Sequence, residues 1–67
     1  MTIQILINEQ EFELAEQSSL ADAAQAFGAT MPFALLLNNK FIPASEHQTT
    51  AIDNHDRIEI ISAIQGG

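Results

Sequence analysis

The residues that most clearly could take part in a chemical reaction are Gly66 and Gly67, the last two of the 67-residue sequence. Glycine has no Cβ, so a terminal glycine pair can extend, adopt either sign of φ and enter a narrow channel. The carboxylate of Gly67 is an anion at neutral pH without a leaving group, so another molecule must activate it. We predict that a partner enzyme adenylates Gly67 with ATP and that Gly66 helps the tail to thread that enzyme. The alternative is an ordinary frayed chain end.

The size and composition of the chain disfavour catalysis by the protein itself. A domain of this length buries roughly 60% of the surface that its unfolded chain exposes, which is too little to enclose a large cofactor or a deep active site. The absence of cysteine removes disulfides, thiolate metal sites and cysteine nucleophiles, and it is compatible with a reducing cytosol. We predict one domain over residues 1–67 with a flexible Gly-Gly tail, acting as a protein co-substrate and not as an enzyme.

The charge balance is strongly acidic. Nine Asp and Glu residues against Lys40 and Arg57 give a formal net charge of −7, which repels nucleic acid and anionic membranes. A basic protein partner would be attracted, and added salt would weaken that attraction; solubility alone is an equally good explanation of the acidity. The sequence has no basic leader and no apolar run of about 20 residues. We therefore expect a soluble cytoplasmic protein, monomeric when free.

The first half of the sequence has the pattern of a β-hairpin followed by a helix. Alternating apolar residues predict two strands around a turn at residues 8–10. Ser19 and Asp22 have the spacing of a capping box at a helix start, and Gly28 suits the left-handed residue at its end. One amphipathic helix of two to three turns is expected between them. The apolar positions that support this reading are Ile3, Ile5, Ile7, Phe12 and Leu14 in the strands and Leu20, Ala23, Ala24 and Phe27 in the helix.

The second half predicts three more strands. The apolar run 33–37, the pair Asn38-Asn39 and the segment 40–42 indicate two short strands around a tight turn. An irregular turn at 44–47 and a short extended piece or loop at 49–52 lead to a polar turn at 53–56. The final strand is predicted from Arg57 to Ile64, with Ile58, Ile60 and Ile64 on one side.

This order of elements specifies a fold. A hairpin, a helix, two strands, a crossover and a last strand give an α+β protein in which one helix covers one face of a mixed sheet. The first and last strands can lie parallel in the middle of that sheet. The predicted fold is therefore the β-grasp, or ubiquitin-like, fold with four to five strands.

The whole chain resembles the ThiS family, the small sulfur carriers of thiamine biosynthesis. The resemblance lies in the order of elements, the length, the Gly-Gly end and three segments: residues 3–10 (IQILINEQ), residues 35–43 (LLLNNKFIP) and residues 56–60 (DRIEI). Family members often have glycine in the turn before the last strand, where this chain has Asn54-His55. We expect Asn54 to supply the positive φ there, because asparagine tolerates it.

The resemblance implies a mechanism and a set of partners. A ubiquitin-activating-like adenylyltransferase would use Mg-ATP to adenylate Gly67, and a sulfurtransferase would supply the sulfur that replaces AMP. The resulting thiocarboxylate, with sulfur held covalently at Gly67, would donate its sulfur to thiazole synthase. On this reading the chain itself binds no cofactor, and ATP binds the partner.

Three alternatives differ in function. The small subunit of molybdopterin synthase shares the fold, the Gly-Gly end and the activation, but it tends to be longer and richer in proline before the tail. A β-grasp interaction module without transfer chemistry would use only the sheet surface. Conjugation to proteins in the manner of ubiquitin is a further possibility.

Two side chains are candidate docking residues. Leu6 and Ile61 are out of phase with the buried positions of their strands, so they are predicted to form an exposed apolar patch beside the tail, together with one leucine of residues 35–37. Isolated surface apolar residues are also common. A metal site at Asp53, His55 and Asp56 is not expected, because such residues ordinarily occur in polar turns. His47 and His55 are expected to be solvated.

Overall fold

Residues 1–62 are described by a computed structural model, in which one helix packs on a five-stranded sheet. The sheet order is β2-β1-β5-β3-β4; β1 and β5 pair in parallel, and the other neighbouring strands are antiparallel. This confirms the α+β β-grasp fold with the first and last strands adjacent. The elements are β1 (Thr2–Ile7), β2 (Gln10–Ala15), α1 (Leu20–Phe27), β3 (Phe33–Leu37), β4 (Lys40–Ile42) and β5 (Arg57–Ser62), with a 3₁₀ turn at Ala44–Glu46.

Both antiparallel hairpins turn on asparagine. In the β1–β2 turn, Asn8 and Glu9 have φ of 51° and 68°, and in the β3–β4 turn Asn38 and Asn39 have φ of 52° and 71°. Two consecutive positive φ values are what a type I′ turn requires, and its twist matches that of the flanking strands. Asparagine tolerates this backbone because its short polar side chain can bond locally. The predicted turns at residues 8–10 and 38–39 are confirmed.

The helix begins and ends where the sequence predicts. Ser19 Oγ accepts a hydrogen bond from the Asp22 N–H (3.2 Å), and Asp22 Oδ2 accepts one from the Ser19 N–H (3.0 Å), which completes the capping box. Gly28 follows with φ of 88° and donates to the Ala24 and Gln25 carbonyls. The helix therefore has both ends satisfied within the chain.

The core lies between the helix and the face of the sheet that the helix covers. Leu20, Ala23 and Ala24 of the helix are buried there, while Phe27 is half-buried with its ring 5.9 Å from that of Phe12. The buried residues contributed by the strands and loops are Ile3, Ile5, Ile7, Leu35, Ile52, Ile58 and Ile60. The predicted inward positions of β1 and of the described part of β5 are confirmed.

The crossover between β4 and β5 corrects one prediction, since His47 is buried and not solvated. Only 8% of His47 is exposed, because the 3₁₀ turn carries it beneath the sheet. Its Nε2 hydrogen-bonds with the Ile42 carbonyl (2.9 Å), and its ring stacks on Phe33 at 6.0 Å. The His47 carbonyl also accepts the Ala21 N–H at the helix start. A buried polar ring with a hydrogen-bond partner is tolerated, so His47 joins the crossover to the helix and to β4.

The turn before β5 corrects a second prediction. His55 has φ of 73°, and Asn54 is not among the residues with positive φ. Asn54 Oδ1 instead accepts the Gln4 N–H (2.7 Å), and the His55 N–H donates to the Gln4 carbonyl (2.6 Å). The side chain of Asn54 therefore hydrogen-bonds to β1, and the left-handed backbone conformation occurs at His55 instead. His55 is solvent-exposed, as predicted.

Candidate functional site

The predicted reactive tail follows the central strand of the sheet. β5 lies between β1 and β3, and Ser62, its last residue, pairs with Phe33. Gly66 and Gly67 lie outside the described residues, as does Ile64. The described part of the site consists of β5 and the side chains around it.

The face of the sheet opposite the helix, called here the outer face, carries apolar side chains in rows across the strands. Because directly paired residues point to the same face, the pairing registers define these rows. Leu6 lies beside Glu11 on one side and Arg57 on the other. Leu36 lies between Glu59 and Phe41, and Ile61 lies beside Ala34. The predicted third member of the apolar patch is therefore Leu36, since Leu35 is in the core.

A shallow groove of about 370 Å³ runs over β5 between Leu6 and Leu36. Arg57 and Glu59 line it from β5, and Asn8 lines it at the end of β1. Leu6 and Leu36 are both half-buried, so each exposes part of its apolar surface. The groove thus combines apolar sides with one positive side chain, Arg57, and two negative ones, Glu9 and Glu59.

The two predicted docking residues share the outer face but are not adjacent. Leu6 pairs with Arg57, and Ile61 lies four residues farther along β5, which is about 13 Å of strand. Glu59 occupies the outward position between them along β5, and Arg57 lies beside Leu6. Ile61 is 51% exposed, and it lies close to the end of β5 from which the tail continues.

Phe41 is an outer-face residue that the sequence reading missed. It is 60% exposed, lies on the edge strand β4 and pairs with Leu36. The next residue, Ile42, pairs with the buried Leu35 and points inward, so Phe41 points outward. This register is visible only in the structure, because a strand of three residues gives almost no periodic signal. An exposed aromatic residue beside Leu36 extends the apolar surface toward the sheet edge.

Acidic side chains border the outer face on the β2 side. Glu11 is paired with Leu6 and Glu13 with Gln4, and both glutamates are exposed. Glu13 Oε2 also accepts a hydrogen bond from Thr2 Oγ1 (2.6 Å). With Glu59 in the groove, these carboxylates give the face a negatively charged border, which would attract a basic surface of another protein.

Asparagine side chains hold β5 at two positions. The Asn8 N–H donates to the Ile58 carbonyl (2.9 Å), and its side-chain amide bonds the N–H and carbonyl of Ile60. At the first residue of β5, the Asn38 N–H donates to the Arg57 carbonyl (2.8 Å), and Asn38 Oδ1 accepts the Arg57 N–H (2.9 Å). The two hairpin turns thereby fix the central strand.

Over residues 1–62, no cluster of three or more His, Asp or Glu side chains is placed to hold a metal ion. In the same part of the chain, no helix has the length and apolar character needed to cross a membrane.

Comparison with known proteins gives a family and a fold. The family model described as "ThiS family" matches residues 2–67. A search of curated proteins found no match. Among solved structures, the chain is similar to the crystal structure of the thiamine biosynthesis protein ThiS from Geobacter metallireducens, with a TM-score of 0.78 and 16% identity over 97% of this chain and 100% of that one.

Proposed function

Because the chain belongs to the ThiS family, we propose that it is a sulfur carrier whose Gly67 is converted to a thiocarboxylate by partner enzymes. Family membership supports a sulfur-carrier role in thiamine biosynthesis, in which ThiS proteins work with partner enzymes. The observation that carries the proposal is the extent of the family match, which reaches residue 67 and so includes both terminal glycines. The match favours the thiamine role over that of a molybdopterin synthase subunit.

The proposed chemistry uses the main chain in two displacements. An oxygen of the Gly67 carboxylate attacks the α-phosphorus of Mg-ATP on the adenylyltransferase, and pyrophosphate leaves. The mixed anhydride gives the acyl group a good leaving group, AMP. Sulfur supplied by a sulfurtransferase as a persulfide then attacks the acyl carbon and AMP leaves. A thiol reductant supplies the two electrons that cleave the S–S bond, so that a thiocarboxylate remains at Gly67 for thiazole synthase. The chain contributes the acyl group, and Gly66 leaves space for the terminus to enter the partner's site.

The fold suits this role because the tail follows a strand that is held on both sides. Five residues separate Ser62 from the end of Gly67, a span of at most about 18 Å when extended. A partner that binds the outer face is therefore within reach of the terminus. This supports the assignment of Leu6 and Ile61 as docking residues.

Intact mass spectrometry of the protein purified from its native host tests the carrier role. A thiocarboxylate exchanges one oxygen for one sulfur, and a thiol-directed alkylating reagent should label it at Gly67. Deleting Gly67, or replacing it with Val, should abolish sulfur loading and leave thermal unfolding unchanged. A truncated protein that still carried sulfur would contradict the proposal and favour a plain interaction module.

Charge-introducing substitutions on the outer face test the docking role. Leu6→Asp and Ile61→Asp should slow adenylation by the cognate enzyme, because they put carboxylates into an apolar contact. Gln25→Glu is the matched control, since it adds one negative charge on the exposed side of the helix. If all three variants are adenylated at the parental rate, the outer face is not the docking surface.

A further inference from the structure

The side chain of Asn8 continues the pairing of β5 beyond the end of β1. The parallel pairing of β1 and β5 consists of Leu6 with Arg57 and Ile7 with Ile58. One step farther along, Asn8 Oδ1 accepts the Ile60 N–H (2.8 Å), and Asn8 Nδ2 donates to the Ile60 carbonyl (3.1 Å). A side-chain amide has the same donor and acceptor groups as a peptide. Asn8 therefore replaces the next residue of a neighbouring strand.

Asn38 bonds β5 at its first residue, whereas Asn8 bonds it three residues farther along, at Ile60. Asn38 holds the first residue, Arg57, and its Nδ2 also bonds Asp56 Oδ1 (3.1 Å). Asn8 holds Ile60, two residues before the last described position of the strand. Both asparagines have nearly the same backbone, with φ of 51° and 52°. The chain thus contains two clamps, asparagine side chains that accept a backbone N–H of β5, and Asn8 is the one nearer to the tail.

We propose that Asn8 is a positioning residue for modification of the C-terminus, because it holds β5 at Ile60 on the side of β1, while the pairing with β3 holds the other side of the strand as far as Ser62. This inference rests on the proposed function and adds to it a residue that touches neither the nucleotide nor the sulfur. Asn8 also lines the outer-face groove, but its positioning effect acts through the two hydrogen bonds to Ile60.

The chain beyond Ile60 connects a small structural change at Ile60 to the position of the Gly67 carboxylate. Seven residues, Ile61 to Gly67, follow it, and they span about 23 Å when extended in a partner's channel. A shift of the strand at Ile60 moves the point from which those residues must reach the partner's reacting position. Misplacement of a reacting group by about 1 Å can cost on the order of a hundredfold in rate.

Glycine substitution at the two asparagines tests the proposal. Asn8→Gly and Asn38→Gly each keep the positive φ of the turn, since glycine adopts it freely, and each removes one side-chain clamp. With the cognate adenylating enzyme, Asn8→Gly should lower the kcat of ATP–pyrophosphate exchange by on the order of tenfold. Asn8 also lines the groove, so the KM for the carrier can rise as well, but by a smaller factor than the loss in kcat. Asn38→Gly should retain the parental kcat within about twofold.

Amide hydrogen exchange gives a readout that does not depend on the enzyme. Asn8→Gly should accelerate exchange of the Ile60 N–H by on the order of tenfold and leave Arg57 unchanged, while Asn38→Gly should do the reverse. Asn8→Asp keeps the acceptor for the Ile60 N–H and loses the donor to its carbonyl, so its kcat should be intermediate. Equal kcat values for parent, Asn8→Gly and Asn38→Gly would overturn the proposal, as would an equal loss in both variants or a loss confined to KM.

Failure of this inference is distinguishable from failure of the proposed function. If the unmodified protein supports no pyrophosphate exchange with the adenylating enzyme, the carrier assignment fails, and the positioning role fails with it even if the clamps exist. If the unmodified protein is adenylated and Asn8→Gly matches its kcat despite faster exchange at Ile60, only the positioning role is rejected.

Discussion

The two faces of the sheet are built from the same strands but differ in how much of their apolar surface is buried on folding. Toward the helix, alternate residues of β1 and β5 and Leu35 of β3 are almost completely buried, with Ile5 2% exposed and Leu35 0%. On the outer face, the intervening positions include Phe41 and Ile61, which remain 60% and 51% exposed. Full burial of such a side chain contributes about 1.5–3 kcal/mol. The helix-covered face therefore accounts for most of the folding energy, and the outer face retains apolar surface that folding does not use.

Because of this difference, the outer face has apolar surface that is available for binding. Strands β1, β3 and β5 each place at least one apolar residue outward, and charged residues separate them. Substitutions on a surface of this kind can alter binding to a partner with little effect on the packing of the core. We infer that substitutions on the two faces should separate stability from binding.

The largest expected effect is the loss of stability on truncating the core. Leu35→Ala should lower the free energy of unfolding by about 2–5 kcal/mol, because it leaves a cavity where the parental side chain is fully buried. Urea denaturation followed by circular dichroism measures this loss.

Leu36→Ala is the matched control, since it removes the same atoms from the next residue of the same strand. Leu36 is half-buried on the outer face, so its truncation should cost clearly less than that of Leu35. Equal losses at both positions would refute the difference between the faces.

The next largest effect concerns the helix that covers the inner face. Ser19→Ala removes the acceptor for the Asp22 N–H, so it should destabilise the protein by about 1 kcal/mol. Ser19→Thr retains a hydroxyl at the cap and should lose much less. Thermal unfolding of the two variants tests whether the cap contributes as the capping box implies; equal stability of Ser19→Ala and the parent would contradict it.

Much of the inner face follows from sequence patterns, because burial on one side of a strand imposes a period of two. The alternation of Ile3, Ile5 and Ile7 and the capping box at Ser19 are local signals, and both were confirmed. The β-grasp topology followed from their order. His47 was predicted wrongly, since its burial depends on the packing of the crossover against Phe33, which no local pattern records.

The outer face was less predictable because it depends on the register between strands. The alternation identified Leu6 and Ile61 as outward residues, but their separation is set by the pairing of Leu6 with Arg57. Parallel register between the first and last strands is a long-range property. Phe41 was missed because a three-residue strand gives almost no periodic signal. The roles of Gly66 and Gly67 stay predictions.

A smaller effect is expected at the turn that precedes β5 and hydrogen-bonds to Gln4 of β1. His55→Gly should stabilise the protein by about 0.5 kcal/mol, because relief of the left-handed backbone slightly exceeds the entropy cost of glycine. His55→Ala is the control, since it removes the imidazole but keeps the Cβ, and it should give no such gain. Chemical denaturation of both variants measures the difference; a stabilising His55→Ala would assign the effect to the imidazole instead.

The smallest effect on stability is expected at the outer position nearest the tail. Ile61→Thr keeps a β-branched side chain on the strand and should change the free energy of unfolding by less than about 0.5 kcal/mol. Ile60→Thr makes the same substitution one residue earlier, where only 7% of the side chain is exposed. Burying a hydroxyl there should cost more than about 1 kcal/mol.

A large loss of stability in Ile61→Thr would mean that Ile61 is covered in solution. A second copy of the chain would be one such cover, contrary to the predicted monomer. Sedimentation equilibrium of the parent and of Ile61→Thr decides between these states. A monomeric parent with a near-neutral Ile61→Thr leaves the apolar surface of Ile61 free for a partner enzyme, because the folded chain itself does not need it.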